Sequence, residues 1–253
     1  SLVASTLWMD DDRIVDPWSI DPYTFYKKDE AAGAVENFGT IAAKPWGSVF
    51  LIGPVVRNAG EITTSRGTIA LAAGDKVSLT SIMSTGPDLV IEKAALDALV
   101  ENQQGAKLEG ELIILSAQAE ETVRRSVINQ DGIVHAYAIQ RDDTGAGLGG
   151  TIILSGGDTG TVHVGGQLDT EAASGQIHIS SDEIVLTTDS NDPVTIHTEE
   201  IKIEANDQIA IDAPVQFQGS YWTEAVLDAP NVTINDTMTR SSTLDLSLEI
   251  TNS

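Results

Sequence analysis

Cysteine is absent from the 253 residues, so neither a disulfide nor thiol chemistry is available to the chain. Aromatic residues are scarce, four each of Trp, Tyr and Phe. The core must then be built from Val, Ile, Leu, Ala and Thr, which suits thin layers and favours strands. Basic residues are also few: 14 Lys and Arg stand against 38 Asp and Glu, a formal charge of −24. That balance argues against a nucleic-acid partner, whose phosphates need Lys and Arg, and against adsorption to anionic lipid. Its plainest effect is solubility through like-charge repulsion. No run of 18 apolar residues occurs, so no membrane-spanning helix is predicted. No charged-then-apolar leader stands at Ser1, and the chain is expected to be a processed product or part of a longer precursor.

Internal repetition is the strongest positive signal. Val35-Glu36-Asn37-Phe38-Gly39-Thr40-Ile41 returns 21 residues later as Val56-Arg57-Asn58-Ala59-Gly60-Glu61-Ile62. Looser copies start at Val100, with Asn102, and at Val127, with Asn129. A second element, Gly47 to Leu51, returns 20 residues on as Gly67 to Leu71, with variants at Gly110 to Leu115 and Gly150 to Leu154. Short apolar-x-apolar strands at this spacing mean one coil per repeat, with alternate side chains pointing inward. A single coil cannot bury its inner face, so coils stack and share a core. Asn and Gly between the strands supply corner conformations, and equivalent Asn residues can form a ladder of side-chain amides. From about residue 160 the strands become more regular, and the 21-residue step from Val194 to Val215 encloses two others. Three strands therefore make one turn.

Two segments depart from the strand pattern. Lys93 to Leu99 has helical propensity, and Ala117 to Ser126 carries charge pairs of helical spacing. Both are expected to be short helical excursions from a corner, and residues 141–150 are expected to form a flexible loop. Residues 1–33 read as an irregular, aromatic-rich segment packing on the solenoid, which occupies 34–253. Trp8, Trp18, Tyr23 and Tyr26 in that segment are candidate contact or assembly residues; rings packed as a cap over the solenoid are the plainer expectation.

The sequence resembles the filamentous haemagglutinin family of two-partner-secretion exoproteins. The resemblance rests on Ser1 to Leu7, Gly33 to Ile41, Thr68 to Val77, Ala94 to Asn102 and Gly160 to Asp169. It implies an all-β chain folded as a right-handed parallel β-helix of about 20–22 residues per coil. It also implies secretion to the cell surface of a Gram-negative bacterium through an outer-membrane β-barrel transporter, and adhesion to a host cell, a neighbouring cell or a polysaccharide. The family's N-terminal cap and its Asn-Pro-Asn-Gly type secretion motif have no match in this chain, so export by that route is expected of a longer precursor.

Other chemistry is weakly represented. Asp10, Asp11 and Asp12 are calcium candidates by donor type, and Asp158 in a glycine-rich stretch lacks the tandem nonapeptides that such sites require. His163 and His178 each sit between inward residues and so point outward with His135 and His197. A zinc or copper site would need them to converge. The acidic pairs Asp142-Asp143, Asp182-Glu183 and Glu199-Glu200 have no basic companion at matching positions, which disfavours polysaccharide cleavage. Asn231 and Asn235 begin glycosylation-type triplets that read as corner residues, and the glycines of 145–150 lack the Lys of a phosphate loop. The expectation is a structural and adhesive protein without catalytic residues or cofactor. The alternatives are a subunit of a homopolymeric filament stacked end to end, and a polysaccharide-acting enzyme or tail spike on the same fold.

Overall fold

The computed structural model describes residues 1–9, 22–28, 32–80, 89–120, 126–141, 147–170, 174–189, 192–218, 222–241 and 244–252. Strands and their connections make up all of these residues, with no helix among them. One circuit shows the plan. Val49–Gly53 lies on a first face, Val55–Asn58 on a second and Glu61–Thr64 on a third. Thr68–Ala73 then returns to the first face, parallel to Val49–Gly53, with Val49 opposite Ile69 and Leu51 opposite Leu71. Val194 likewise lies opposite Val215, one three-stranded turn away. The chain is a parallel β-solenoid.

Eight parallel strands stack on the third face, from Thr40–Ala43 to Met238–Arg240. The first and second faces become one continuous sheet in the later circuits. There Gln176–Leu186 and Glu200–Ile211 each cross the corner between them and pair almost residue for residue. Circuits without insertions take 20 or 21 residues early, as from Val49 to Ile69 and Val35 to Val56, and up to 25 later, as from Ile184 to Ile209. The step from Ile69 to Ile113 is 44 because Lys76–Leu79 and Leu89–Lys93 leave the solenoid for a lateral sheet. Among the described residues there are eight full circuits, and Asp245–Thr251 starts a ninth.

Alternation explains the core. Val56, Ile62, Val100, Leu108, Ile152, Leu168 and Ile196 point inward and are buried, while their strand neighbours face solvent. Val49–Gly53 and Thr68–Ala73 break that alternation, being buried along their whole length. Their inward residues Val49, Leu51, Ile69 and Leu71 join the shaft. Their outward residues Phe50, Ile52, Ala70 and Ala72 pack with Leu7, Phe25, Val77 and Leu79 in a second core. That core lies under a four-stranded antiparallel sheet in the order Leu89–Lys93, Lys76–Leu79, Tyr23–Tyr26, Trp8–Met9. Residues 1–33, read from the sequence as irregular, thus supply two of these strands. Their first strand, Leu2–Ser5, pairs parallel with Val49–Ile52 on the first face.

Neither predicted helical excursion is present among the described residues. Leu89–Lys93 is a strand, and Ala95 forms a parallel bridge with Ala119. Ala95 and Ala98 are buried in the shaft, so tertiary packing overrides helical propensity there. In the second segment, residues up to 117 and from 126 are strand, and 121–125 lie outside the described residues. Of the expected loop at 141–150, residues 142–146 also lie outside; Gly147–Gly149 pairs antiparallel with Ile133–Arg141.

Inside the corner between the second and third faces runs a ladder of amides. Asn37 Nδ2 donates to Asn58 Oδ1 at 2.8 Å, Asn58 Nδ2 to Asn102 Oδ1 at 2.9 Å, and Asn102 Nδ2 to Gln130 Oε1 at 2.8 Å. Asn37, Asn58 and Gln130 also bond their own corners, as Asn58 Nδ2 does with Gly60 O and Gly60 N with Asn58 Oδ1. Asn58, Asn102 and Gln130 are fully buried, so these bonds replace water completely. The fourth rung corrects the sequence alignment by one residue. Gln130, not Asn129, lies opposite Asn102, because a bulge between Ser126 and Ile128 shifts the register. The corner glycines serve close approach: a Cβ on Gly60 would come within 2.1 Å of Gly39 O. Left-handed conformations occur at Gly105 and Gly157 and also at three non-glycine residues, among them Trp46 and Arg66, φ 67° and 57°, one circuit apart.

Asn58→Ala is expected to cost about 2–4 kcal/mol, because it strands the amide of Asn37 and the carbonyl of Asn102 without water. Urea denaturation followed by circular dichroism checks this; a loss under about 1 kcal/mol would show that the ladder adds little to stability.

Candidate functional site

With the inward positions used by the core, function falls to outward rows and corners. On the third face Glu109, His135, Asp169, His197 and Gln218 form one outward row across successive strands. His197 Nδ1 lies 3.0 Å from Asp169 Oδ1. Tyr137 donates to Glu109 at 3.3 Å and its ring stands 5.2 Å from that of His135. Lys107 beside Glu109 holds that carboxyl below the usual carboxylate range, with smaller help from Tyr137 and His135 and against partial burial. His163 and His178 do not join this row. His178 is on the first face, 2.6 Å from Glu204, whose carboxyl is lowered chiefly by Lys202 and then by His178. His163 is on the second face, where burial lowers its pKa against the opposing pull of Asp131 and Glu183. No group of three metal-ligand side chains close enough to share an ion occurs among the described residues.

Beside the third face, at its corner with the second, lies a cleft of about 310 Å³. Corner length creates it. Two residues separate the strands at 131–132 and 165–166, four at 103–106, and seven at 187–193. The two short corners form a floor between longer walls. Gly132 and Gly166 have to be glycine, since a Cβ on Gly166 would lie 2.0 Å from Gly132 O. Around that floor stand Gln104, Asp131, Gln167, Asp189, Asp192 and Thr195, with Ile133 and Pro193 as apolar surface. Burial raises the Asp131 carboxyl above its ordinary range, and Asp189 adds to this, while His163 opposes it.

The aromatic candidates divide. Trp8 is 53% exposed with Lys28 Nζ 4.3 Å from its ring centre, a cation–π contact. Tyr23 and Tyr26 are half-buried strand residues of the antiparallel sheet, and Tyr23 packs on the second core. Trp18 and the calcium candidates Asp10, Asp11 and Asp12 lie outside the described residues. Sequence reasoning passed over further exposed rings, Trp222 and, more open still, Phe38 at 74% and Trp46 at 68% exposure. Phe38 stands at a corner where the next circuit has Ala59, and Trp46 where it has Arg66, whose guanidinium lies 5.1 Å from the indole. A bulky apolar residue at a corner position of the repeat was the available signal. Of the acidic pairs, Asp142-Asp143 lies outside the described residues, Glu183 accepts from Thr161, and Glu200 opens a strand on another circuit.

These features define a parallel β-solenoid carrying a lateral antiparallel sheet and a polar corner cleft. Among solved structures the chain is similar to the HMW1 secretion domain from Haemophilus influenzae, with a TM-score of 0.64 and 20% sequence identity. The match covers 98% of this chain and 74% of that one, so the likeness of fold extends over nearly the whole chain. No protein-family model and no curated protein matches the sequence.

Because the raised pKa of Asp131 belongs to the folded state, folding favours its protonated form. That contribution is full below the ordinary Asp range and is lost as pH rises through the raised value. Asp131→Asn is therefore expected to raise the urea midpoint at pH 7, with the gain shrinking as pH falls through the raised value and largely gone below about 4. A midpoint that does not move at pH 7 would show that the carboxyl is not destabilised in place.

Proposed function

We propose that this chain is a segment of a secreted adhesive exoprotein of the filamentous haemagglutinin type, exported by two-partner secretion from a Gram-negative bacterium. The observation that carries this reading is the end-to-end match to a secretion domain, 98% of the chain at a TM-score of 0.64. The sequence resemblance to two-partner-secretion exoproteins points the same way independently. The export partner is an outer-membrane β-barrel transporter. An unfolded chain suits that route: it has no cysteine to cross-link, and its net charge of −24 opposes aggregation in transit.

The coil is right-handed in this reading. Parallel strands joined by crossovers within one sheet take that hand in nearly all proteins, because twisted strands pack back onto the sheet only that way. The protein acts as a rigid, non-catalytic display rod without a cofactor. Backbone bonds between circuits hold it, and contact with a cell or matrix is made by outward rows and corners.

Inactivating the two-partner transporter in the source bacterium is expected to abolish release of the full-length precursor to the medium and to leave it in the periplasm. Undiminished release would refute the assigned route. Purified protein is expected to liberate no reducing ends from acidic polysaccharides, and their appearance would overturn the non-catalytic reading.

A further inference from the structure

Exposed indoles and unpaired cations coincide on this molecule. Lys27, Arg57, Lys76, Lys93, Lys107 and Lys202 each reach a carboxylate. Arg66 does not. Among the described residues its guanidinium forms no ion pair, and its neighbour is the ring of Trp46, 5.1 Å away. Lys28 repeats the arrangement on Trp8. A free guanidinium is unusual where 38 acids face 14 bases, and it survives because charge is unevenly spread. Residues 32–80 carry Lys44, Arg57, Arg66 and Lys76 against Glu36, Glu61 and Asp75. Residues 192–218 carry Asp192, Glu199, Glu200, Glu204, Asp207 and Asp212 against Lys202 alone. Charges farther apart than about 8 Å are largely screened at physiological salt, so the corner bearing Arg66 attracts an anion locally.

Corner length builds the platform. Five residues, 44–48, connect the third face to the first ahead of Val49–Gly53; three, 65–67, do so in the next circuit, and Glu111 alone in the one after. Trp46 and Arg66 therefore stand on successive overhangs, every residue of which is described. Trp46 N donates to Ser65 O at 2.9 Å and Gly47 N to Lys44 O at 2.8 Å, which fixes the two corners against each other. Both residues take a left-handed backbone, φ 67° and 57°, which bulky side chains avoid and which clusters at ligand contacts. Trp46 is still 68% exposed. The fold accepts backbone strain and forgoes burial of its largest kind of ring to hold an indole beside a guanidinium in solvent.

The pair sets the ligand class. A guanidinium is a flat fork that takes both oxygens of a carboxylate, where an ammonium offers only a point charge. An indole face, negative over its π surface, packs on a ring that presents C–H groups. A hexuronic acid residue has both features, a pyranose with a C–H face and a carboxylate at its edge. An anionic bilayer would also meet the acidic later circuits and is disfavoured.

We propose that the Trp46–Arg66 corner binds a uronic acid residue of a carboxylated polysaccharide, the sugar packing on the indole and its carboxylate held by the guanidinium. The inference gives a ligand class to the contact role proposed above and rests on that reading for its purpose. Binding is measured on purified protein, so its failure leaves the export route untouched.

The test is isothermal titration of the full chain with the trimer of α-1,4-galacturonate at pH 7 and physiological salt. One comparison probe is its methyl ester, which keeps the rings and loses the charge. The others are triglutamate, which keeps the charge and loses the rings, and vesicles of phosphatidylcholine and phosphatidylglycerol. The trimer is expected to bind at least about tenfold more tightly than either soluble probe, a difference of about 1.4 kcal/mol, and the vesicles not at all. Trp46→Gly relaxes the backbone as it removes the ring, and Arg66→Lys keeps the charge without the fork. Each is expected to weaken trimer binding about tenfold or more, with circular dichroism showing an unchanged fold. Lys202→Gln, on a later circuit, removes a positive charge elsewhere and should leave binding intact. Equal binding of the methyl ester or triglutamate, binding to the vesicles, undiminished binding by either corner variant, or no binding at all would each overturn the proposal.

Discussion

Register between parallel circuits is the constraint on which this structure depends. Side chains alternate in and out along every strand, so a slip of one residue would exchange aliphatic groups for Glu, Lys, Gln and His. Backbone hydrogen bonds cannot prevent that slip, because they form equally well in either register. The buried amides can. Asn58 bonds the circuits on both sides as well as its own corner, and these bonds close only when Val56 lies over Val100. After Gln130 the same column continues as Val164, Leu186 and Ile211. Hydroxyls then take over at another corner, where Thr170 donates to Thr198 Oγ1 at 3.0 Å and Thr223 to Thr198 O at 2.6 Å.

Charge is arranged around the same register. Arg57 reaches Glu36 at 3.0 Å and Glu101 at 2.6 Å, one circuit to each side, which places a cation between two anions on the second face. Elsewhere carboxylates outnumber their partners, and the surface left to them is largely acidic. The cleft belongs to that surface. Its position at one corner follows from four successive connections, two short ones between two longer ones, set between stacked parallel strands.

Much of the solenoid was legible because its signal repeats. The Val-x-Asn-x-Gly-x-Ile copies at 35 and 56 pair as their spacing implies, and the three-strand turn follows from Val194 and Val215. Legibility failed where a repeat is modulated by something distant. The fourth amide rung was misassigned because the bulge before Ile128 leaves no mark in the residue types. Lys93 to Leu99 has helical composition, but Ala95 and Ala98 are used as small residues against the shaft. The antiparallel sheet joins strands more than 50 residues apart, as Tyr23 with Leu79, and no local pattern encodes that pairing. The cleft was missed for a similar reason, since Gln104, Asp131, Gln167 and Asp192 become neighbours only when their corners stack. His163 and His178 alternate outward as their apolar strand neighbours imply, and the four histidines separate onto three faces.

The two strands that are covered on both sides have a consequence for how the molecule is made. Val49–Gly53 and Thr68–Ala73 are joined by a short path of sequence and lose water from both surfaces at once, so they form the most economical seed in the chain. From Leu112 onward, each new circuit finds a finished template edge waiting and needs only its own stretch of chain to complete itself. Growth of this kind resembles accretion on a crystal face, and it keeps the entropic cost of each step local.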